Sequence, residues 1–185
     1  MRLIVLVGPK HSGKTSAGKE LAALLSGGFV DLDEYITQRS GKSPRALYIE
    51  GPEVFRKAEA EALAALFESS LLEAPLLEAK TAQSSRSLII ASGGGLIDNS
   101  DALPLLKNNT AAISVFLDIP AQAAWERIKK AGELPPFLKT ENPEETHRSL
   151  HERRAAAYRQ CASLVIEADG KSPQEIAQEI MDKLN

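Results

Sequence analysis

Apolar residues along this chain fall into two kinds of run. Short unbroken runs read as strands buried on both faces: Leu3-Ile4-Val5-Leu6-Val7, Leu88-Ile89-Ile90-Ala91, Ala112-Ile113-Ser114-Val115-Phe116-Leu117 and Leu164-Val165-Ile166. Phe29-Val30 opens a further strand that ends in Asp31-Leu32-Asp33. Between these runs the apolar positions return at helical spacing. Ala17, Leu21, Ala22, Leu24 and Leu25 predict a helix over 14–25, stopped by Ser26-Gly27-Gly28. Val54, Phe55, Ala58, Leu63 and Leu66 predict a long helix from Gly51-Pro52 to about Phe67. Short helical pieces are expected over Tyr35 to Arg39, after Ser43-Pro44, and from Asn99 to Leu106. Pro120 opens a helix to about Lys130 with Trp125 as its core anchor. Pro143 to Tyr158 follows, and Ser172-Pro173 starts a closing helix carrying Ile176, Ile180 and Leu184.

Two stretches lack a period. Residues 69–86 are rich in Ser, Ala, Leu and Glu, and are expected to extend the long helix and then form a mobile loop. Gly132 to Asn142 holds two prolines and has the length of a lid. Five strands alternating with helices predict an α/β fold in three layers, a five-stranded parallel sheet covered on both faces. Neither an internal repeat nor a composition shift marks a second domain, so residues 1–185 are expected to form one unit.

Composition narrows the function classes. Hydrophobic residues make up 43% of the 185 and charged residues 25%, the balance of a globular protein with a full core. A net charge of −3 provides no basic field for nucleic acid. The single cysteine, Cys161, cannot close an internal disulfide, which suits a reducing cytoplasm. The apolar run after Arg2 is too short for a secretory signal, and no apolar stretch reaches the length of a membrane span.

The chemistry starts at Gly8-Pro9-Lys10-His11-Ser12-Gly13-Lys14-Thr15. A glycine-bounded loop between a buried strand and a helix, closing on Lys-Thr, is the pattern of a phosphate-binding loop. Its backbone N–H groups, from Lys10 through Ser16, would wrap phosphate oxygens at a helix N-terminus. Lys14 would meet the β- and γ-phosphates, and the Thr15 hydroxyl would ligate Mg²⁺. Asp31 and Asp33, alternating on one strand, would point to the same side at the strand's carboxyl end, where open α/β sheets bind ligands. One could hold the metal through water and the other could take the proton of an attacking hydroxyl. The alternative for each, and more so for Asp31, is a helix N-cap. Arg56 lies early in the long helix, an unfavourable place for a cation, and so reads either as a grip for a carboxylate or as a surface partner of Glu53 or Glu59. Gly93-Gly94-Gly95 either lets a small ligand lie against bare backbone or forms a flexible turn. His11, His147 and His151 lack a metal-site pattern.

Taken in order, Gly13-Lys14-Thr15 with Gly18, Phe29 to Asp33, Gly51 with Phe55-Arg56 and Glu59, Ser92 to Gly95, and Arg154 with Tyr158 resemble the shikimate kinase family. That resemblance implies the nucleoside-monophosphate-kinase fold and transfer of the ATP γ-phosphate to the 3-hydroxyl of shikimate with Mg²⁺. It implies a substrate-binding region over about 31–67 and a lid over about 132–146. It further implies Lys14, Asp33 and Arg56 as catalytic residues and Thr15 and Asp31 at the metal. Asp33, Arg56, Arg154 and the backbone of Gly93, Gly94 and Gly95 would hold the substrate, and Arg127 would pack on adenine. A monomer is expected. A diverged paralogue acting on another small hydroxy acid or polyol, and a non-catalytic nucleotide-binding module, are the alternatives. The family's lid carries Arg-Pro-Leu-Leu; the aligned stretch here is Pro135-Pro136-Phe137-Leu138, and the cation that this lid offers is Lys139.

Overall fold

A computed structural model of the chain describes residues 2–71, 87–132 and 134–184. The strands are β1 (Leu3–Val7), β2 (Gly28–Asp31), β3 (Leu88–Ala91), β4 (Ala112–Asp118) and β5 (Leu164–Glu167). They form one sheet in the order β2-β3-β1-β4-β5, and every pairing is parallel. The helices are α1 (Lys14–Leu24), α2 (Leu32–Ser40), α3 (Pro44–Glu50), α4 (Pro52–Leu71), α5 (Ala102–Asn108), α6 (Ala121–Lys130), α7 (Pro143–Cys161) and α8 (Pro173–Leu184). The three-layer α/β expectation therefore holds. No helix among the described residues is long and apolar enough to cross a membrane.

β1 shows why its sequence is unbroken apolar. Its five residues alternate between two separate cores. Leu3, Val5 and Val7 join Leu32, Ile36, Leu63, Phe116 and Tyr158 on the face covered by α2, α4 and α7. Ile4 and Leu6 join Ala17, Leu21, Ile176 and Ile180 on the face covered by α1 and α8. A third, small cluster packs Leu138 of the lid stretch, fully buried, against Trp125 and Ile128 of α6.

Two boundaries differ from the sequence reading. β2 ends at Asp31, two residues early, and the chain turns at once into α2. The expected strand alternation of Asp31 and Asp33 is therefore wrong. Asp31 caps α2 by accepting from the N–H groups of Asp33 at 3.0 Å and Glu34 at 3.4 Å, and Asp33 sits in the first helical turn. Of the two acids for which the sequence allowed an N-cap, Asp31 is the one that caps. The long helix runs past Phe67 to Leu71, so the extension expected from residue 69 begins as a helix; the loop expected after it lies outside the described residues. Of the lid span, 136–138 form a single 3₁₀ turn and residues from Pro143 on already belong to α7.

Candidate active site

The parallel sheet brings the carboxyl ends of all five strands to one edge, and the site is built there. Its floor is the loop between β1 and α1. Gly8 (φ 142°) and Gly13 (φ 95°) hold backbone angles closed to most side chains. His11 adopts φ 63° without that freedom, a strain on the order of 1 kcal/mol. The Lys14 ammonium is buried and donates to the carbonyls of Gly8 (2.9 Å) and Pro9 (2.7 Å), spanning the loop. Burial pulls its pKa down to about 8, against the opposing pull of Asp33 and Asp31. Ser12 is buried beside it, with its hydroxyl 3.5 Å from the Lys14 ammonium. The Thr15 hydroxyl donates to Asp31 Oδ2 at 2.8 Å, so the two residues proposed for a metal touch each other. Ser16 is exposed on the first turn of α1, and Lys10 is exposed at the loop's apex. Arg127 reaches back from α6, donating to the His11 carbonyl at 2.8 Å and to Asp169 at 3.3 Å.

The opposite wall comes from α2, α4, the loop after β3, and α7. Three glycines without side chains let these parts meet. A β-carbon on Gly93 would lie 2.9 Å from Glu59 Oε1 and 3.3 Å from Asp33 Oδ1; one on Gly94 would lie 2.8 Å from the Lys10 nitrogen; one on Gly95 would lie 3.2 Å from Arg154 Nη2. The glycine run is thus a packed seam between floor and wall, with Gly94 and Gly95 in a turn. Asp33 is open to solvent on the cleft side, yet surrounding protein raises its pKa; Asp31 adds to the rise, and Lys14 and Lys10 oppose it.

Arg154 is anchored from behind. Its Nε donates to Asp98 Oδ2 at 2.7 Å, Arg153 donates to Asp98 Oδ1 at 2.8 Å, and Arg154 Nη1 lies 3.5 Å from the Gly94 carbonyl. Partial burial would raise the Asp98 pKa, but the hydrogen bond from Arg153 and the charge of Arg154 outweigh it and leave the carboxyl below its ordinary value. One turn along α7, the Tyr158 hydroxyl accepts the Ile97 N–H at 3.1 Å and its ring stacks on Phe116 at 5.2 Å, which pins the turn bearing Asp98. Across the cleft the Phe137 ring lies 5.7 Å from the Arg154 guanidinium, a cation–π contact made by the lid.

Sequence reasoning gave no site role to three of these wall residues, although Glu59 was among those that carry the family resemblance. Glu59 is buried, accepts from Asn99 Nδ2 at 2.8 Å through Oε2, and has no hydrogen-bond partner on Oε1 among the described residues. Burial pushes its pKa up to about 7, with Asp33 adding and Asn99, Arg154 and Arg56 opposing. The signal was present: Glu59 falls on the apolar stripe of α4, in line with Phe55, Leu63 and Leu66, where a carboxylate is out of place. Asn99 ties that helix to the glycine loop by also donating to the Arg56 carbonyl at 2.8 Å. Asp98 and Asn99 had no sequence signal beyond following the glycine run. The Arg56 side chain is exposed and forms an ion pair with neither Glu53 nor Glu59, although its charge acts on Glu59.

A protein-family model described as shikimate kinase matches residues 10–185 of this chain. A shikimate kinase of a Marinomonas species is 30% identical over 182 residues, spanning 98% of this chain and 91% of that protein. One of Persephonella marina is 34% identical over 185 residues, spanning 100% and 99%. Among solved structures, the shikimate kinase from Acinetobacter baumannii in complex with shikimate superposes with a TM-score of 0.79 at 30% identity, covering 100% of this chain and 93% of the other.

Proposed function

The chain belongs to the shikimate kinase family, and we propose that it transfers the γ-phosphate of ATP to the 3-hydroxyl of shikimate. The observation that carries this reading is the meeting of Lys14 and Asp33 in one cleft, with the Gly93-Gly94-Gly95 seam joining Asp33 to Arg154. A phosphate grip and an acid that can face an alcohol thus share a reaction centre.

The geometry supports the following roles. The loop N–H groups and Lys14 hold the β- and γ-phosphates, and Arg127 flanks the loop where the adenine side begins. Arg154, fixed by Asp98, and Arg56 take the acceptor's carboxylate. Gly94 leaves its backbone open to an acceptor hydroxyl. Asp33 orients the attacking hydroxyl and accepts its proton. The oxygen–phosphorus bond to the acceptor forms as the bond from γ-phosphorus to the β,γ-bridging oxygen breaks, and that electron pair leaves with ADP. Lys14 meets the charge that develops.

Thr15 and Asp31 fit Mg²⁺: they offer a hydroxyl and a carboxylate 2.8 Å apart beside the phosphate loop, hard oxygen donors of the kind that share this ion with substrate phosphates. When bound, the ion neutralises phosphate charge.

Coupled ADP release with shikimate, ATP and Mg²⁺ tests the reading, and no turnover above background would refute it. A panel of other hydroxy acids outrunning shikimate would move the assignment to a different acceptor. Asp33→Asn is expected to lower kcat by about 10²-fold or more while the ADP dissociation constant stays nearly unchanged. The pH profile carries a sign. Asp33 works ionised and burial raises its pKa, so activity falls on acidification at a pH above the ordinary aspartate value.

A further inference from the structure

Phosphoryl transfer spreads negative charge over oxygens that face both donor and acceptor, so a cation is needed on each side. Lys14 is held on the floor by the Gly8 and Pro9 carbonyls. Arg127 is bonded to the His11 carbonyl and to Asp169. Arg154 is tied to Asp98 behind the glycine seam. Arg56 acts on Glu59, deeper along α4. In the lid stretch among the described residues, 134–142, the one cationic side chain is Lys139; it is exposed, has no hydrogen bond or ion pair, and is not among the charges that act on Lys14, Asp33 or Glu59.

Lys10 is different. Its side chain is exposed and has no hydrogen-bond or ion-pair partner among the described residues. Its charge acts on the neighbouring His11, and the glycine seam that packs on its backbone also packs on Asp33, a β-carbon on Gly93 lying 3.3 Å from Asp33 Oδ1. Its backbone, by contrast, is fixed. Pro9 precedes it, His11 in the left-handed region follows it, and Gly94 packs so closely that a β-carbon there would lie 2.8 Å from the Lys10 nitrogen. A rigid base with a free four-carbon stem places a mobile point charge at the junction of floor and wall.

We propose that Lys10 contacts the transferring phosphoryl group from the acceptor side, so that this chain carries there, on its phosphate loop, a charge that its lid does not supply. The assignment rests on the phosphotransfer reading above. Lys10→Met is expected to lower kcat at least about 30-fold with the ADP dissociation constant, measured by calorimetry, changed less than about 3-fold. Lys10→Arg is expected to keep most of the activity, and Lys139→Met to stay within about 2-fold of the parent. Calorimetry of ADP with aluminium fluoride in the presence of shikimate gives a readout independent of turnover: Lys10→Met should weaken that complex at least about 10-fold, and Lys139→Met should leave it unchanged. Turnover by Lys10→Met within about 3-fold of the parent, an equal loss of ADP affinity, a large loss in Lys139→Met, or an unweakened aluminium fluoride complex would each overturn the assignment. A parent chain without turnover would instead refute the phosphotransfer reading, and the aluminium fluoride complex would still decide whether Lys10 meets the transferring group.

Discussion

The floor and the acceptor wall share one opening but are built from different distances along the chain. On the floor, the contacts that shape the loop join residues 5, 6 and 16 positions apart: Lys14 with Pro9 and Gly8, and Thr15 with Asp31. On the wall, Asn99 meets Glu59 across 40 positions, Arg154 meets Asp98 across 56, and the Ile97 N–H reaches Tyr158 across 61. Local contacts form wherever a strand feeds a helix. The wall's contacts exist only after α4, the β3 loop and α7 have packed on one face of the sheet. The floor should therefore behave as a motif, failing in one step when its lysine goes, and the wall as a tertiary assembly whose members can be weakened singly.

Lys14→Ala is the largest break. It removes the floor's buried ammonium, takes the side-chain donor from the Gly8 carbonyl and leaves the Pro9 carbonyl with the Ser12 N–H at 3.3 Å. Turnover in the coupled assay should fall by about 10³-fold or more, and ADP affinity should fall with it. Retained ADP affinity would mean that the phosphates are held from the wall, and the division between the two regions would be wrong.

The wall's counterpart is a buried acid. Glu59 has a pKa pushed up to about 7 by burial, so the folded chain binds its proton more tightly than the unfolded chain, whose glutamate titrates near 4.5. Protonated Glu59 contributes its full share of stability below about pH 4.5, and that share is lost as pH rises toward about 7. A difference of about 2.5 pKa units sets an upper bound on the order of 3 kcal/mol. Glu59→Gln cannot ionise and can still accept from Asn99. Urea unfolding at pH 5.5 and pH 8 should show the parent losing stability between the two and the variant losing less. Equal losses would show that another group carries the pH dependence.

The same contrast explains what the sequence allowed to be read. The floor was legible because its eight residues, its strand and its helix are contiguous, and each contributes to one known geometry. Fold class was legible because the apolar runs of β1, β3 and β4 lack the alternation of a half-exposed strand. The β2 boundary was misplaced because two acids at strand spacing also form a helix start. Asp31 followed three positions later by Glu34 is the spacing of a capping box, and the cap prevailed because the first helical N–H groups need an acceptor. Asp98 and Asn99 were beyond reach for a plainer reason. Nothing near them in sequence marks them, and their partners lie on helices that meet only in the folded chain.

The mildest test isolates one wall contact. Asp98 touches neither the floor nor the acceptor space; it holds Arg154 Nε and Arg153 Nη1, with only 16% of its side chain exposed. Asp98→Asn keeps the shape and removes the charge, so Arg154 loses the partner that fixes its guanidinium, while the Phe137 ring can still stack on it. A positioning residue of this kind should act through KM. The acceptor KM should rise about 10-fold, kcat should change little, and the KM for ATP should not move. If ATP and acceptor KM rose together, Asp98 would be supporting the whole cleft, and floor and wall would be one cooperative unit. If only the acceptor constant moved, the wall would be adjustable without disturbing the phosphate grip, as the separation of their contacts implies.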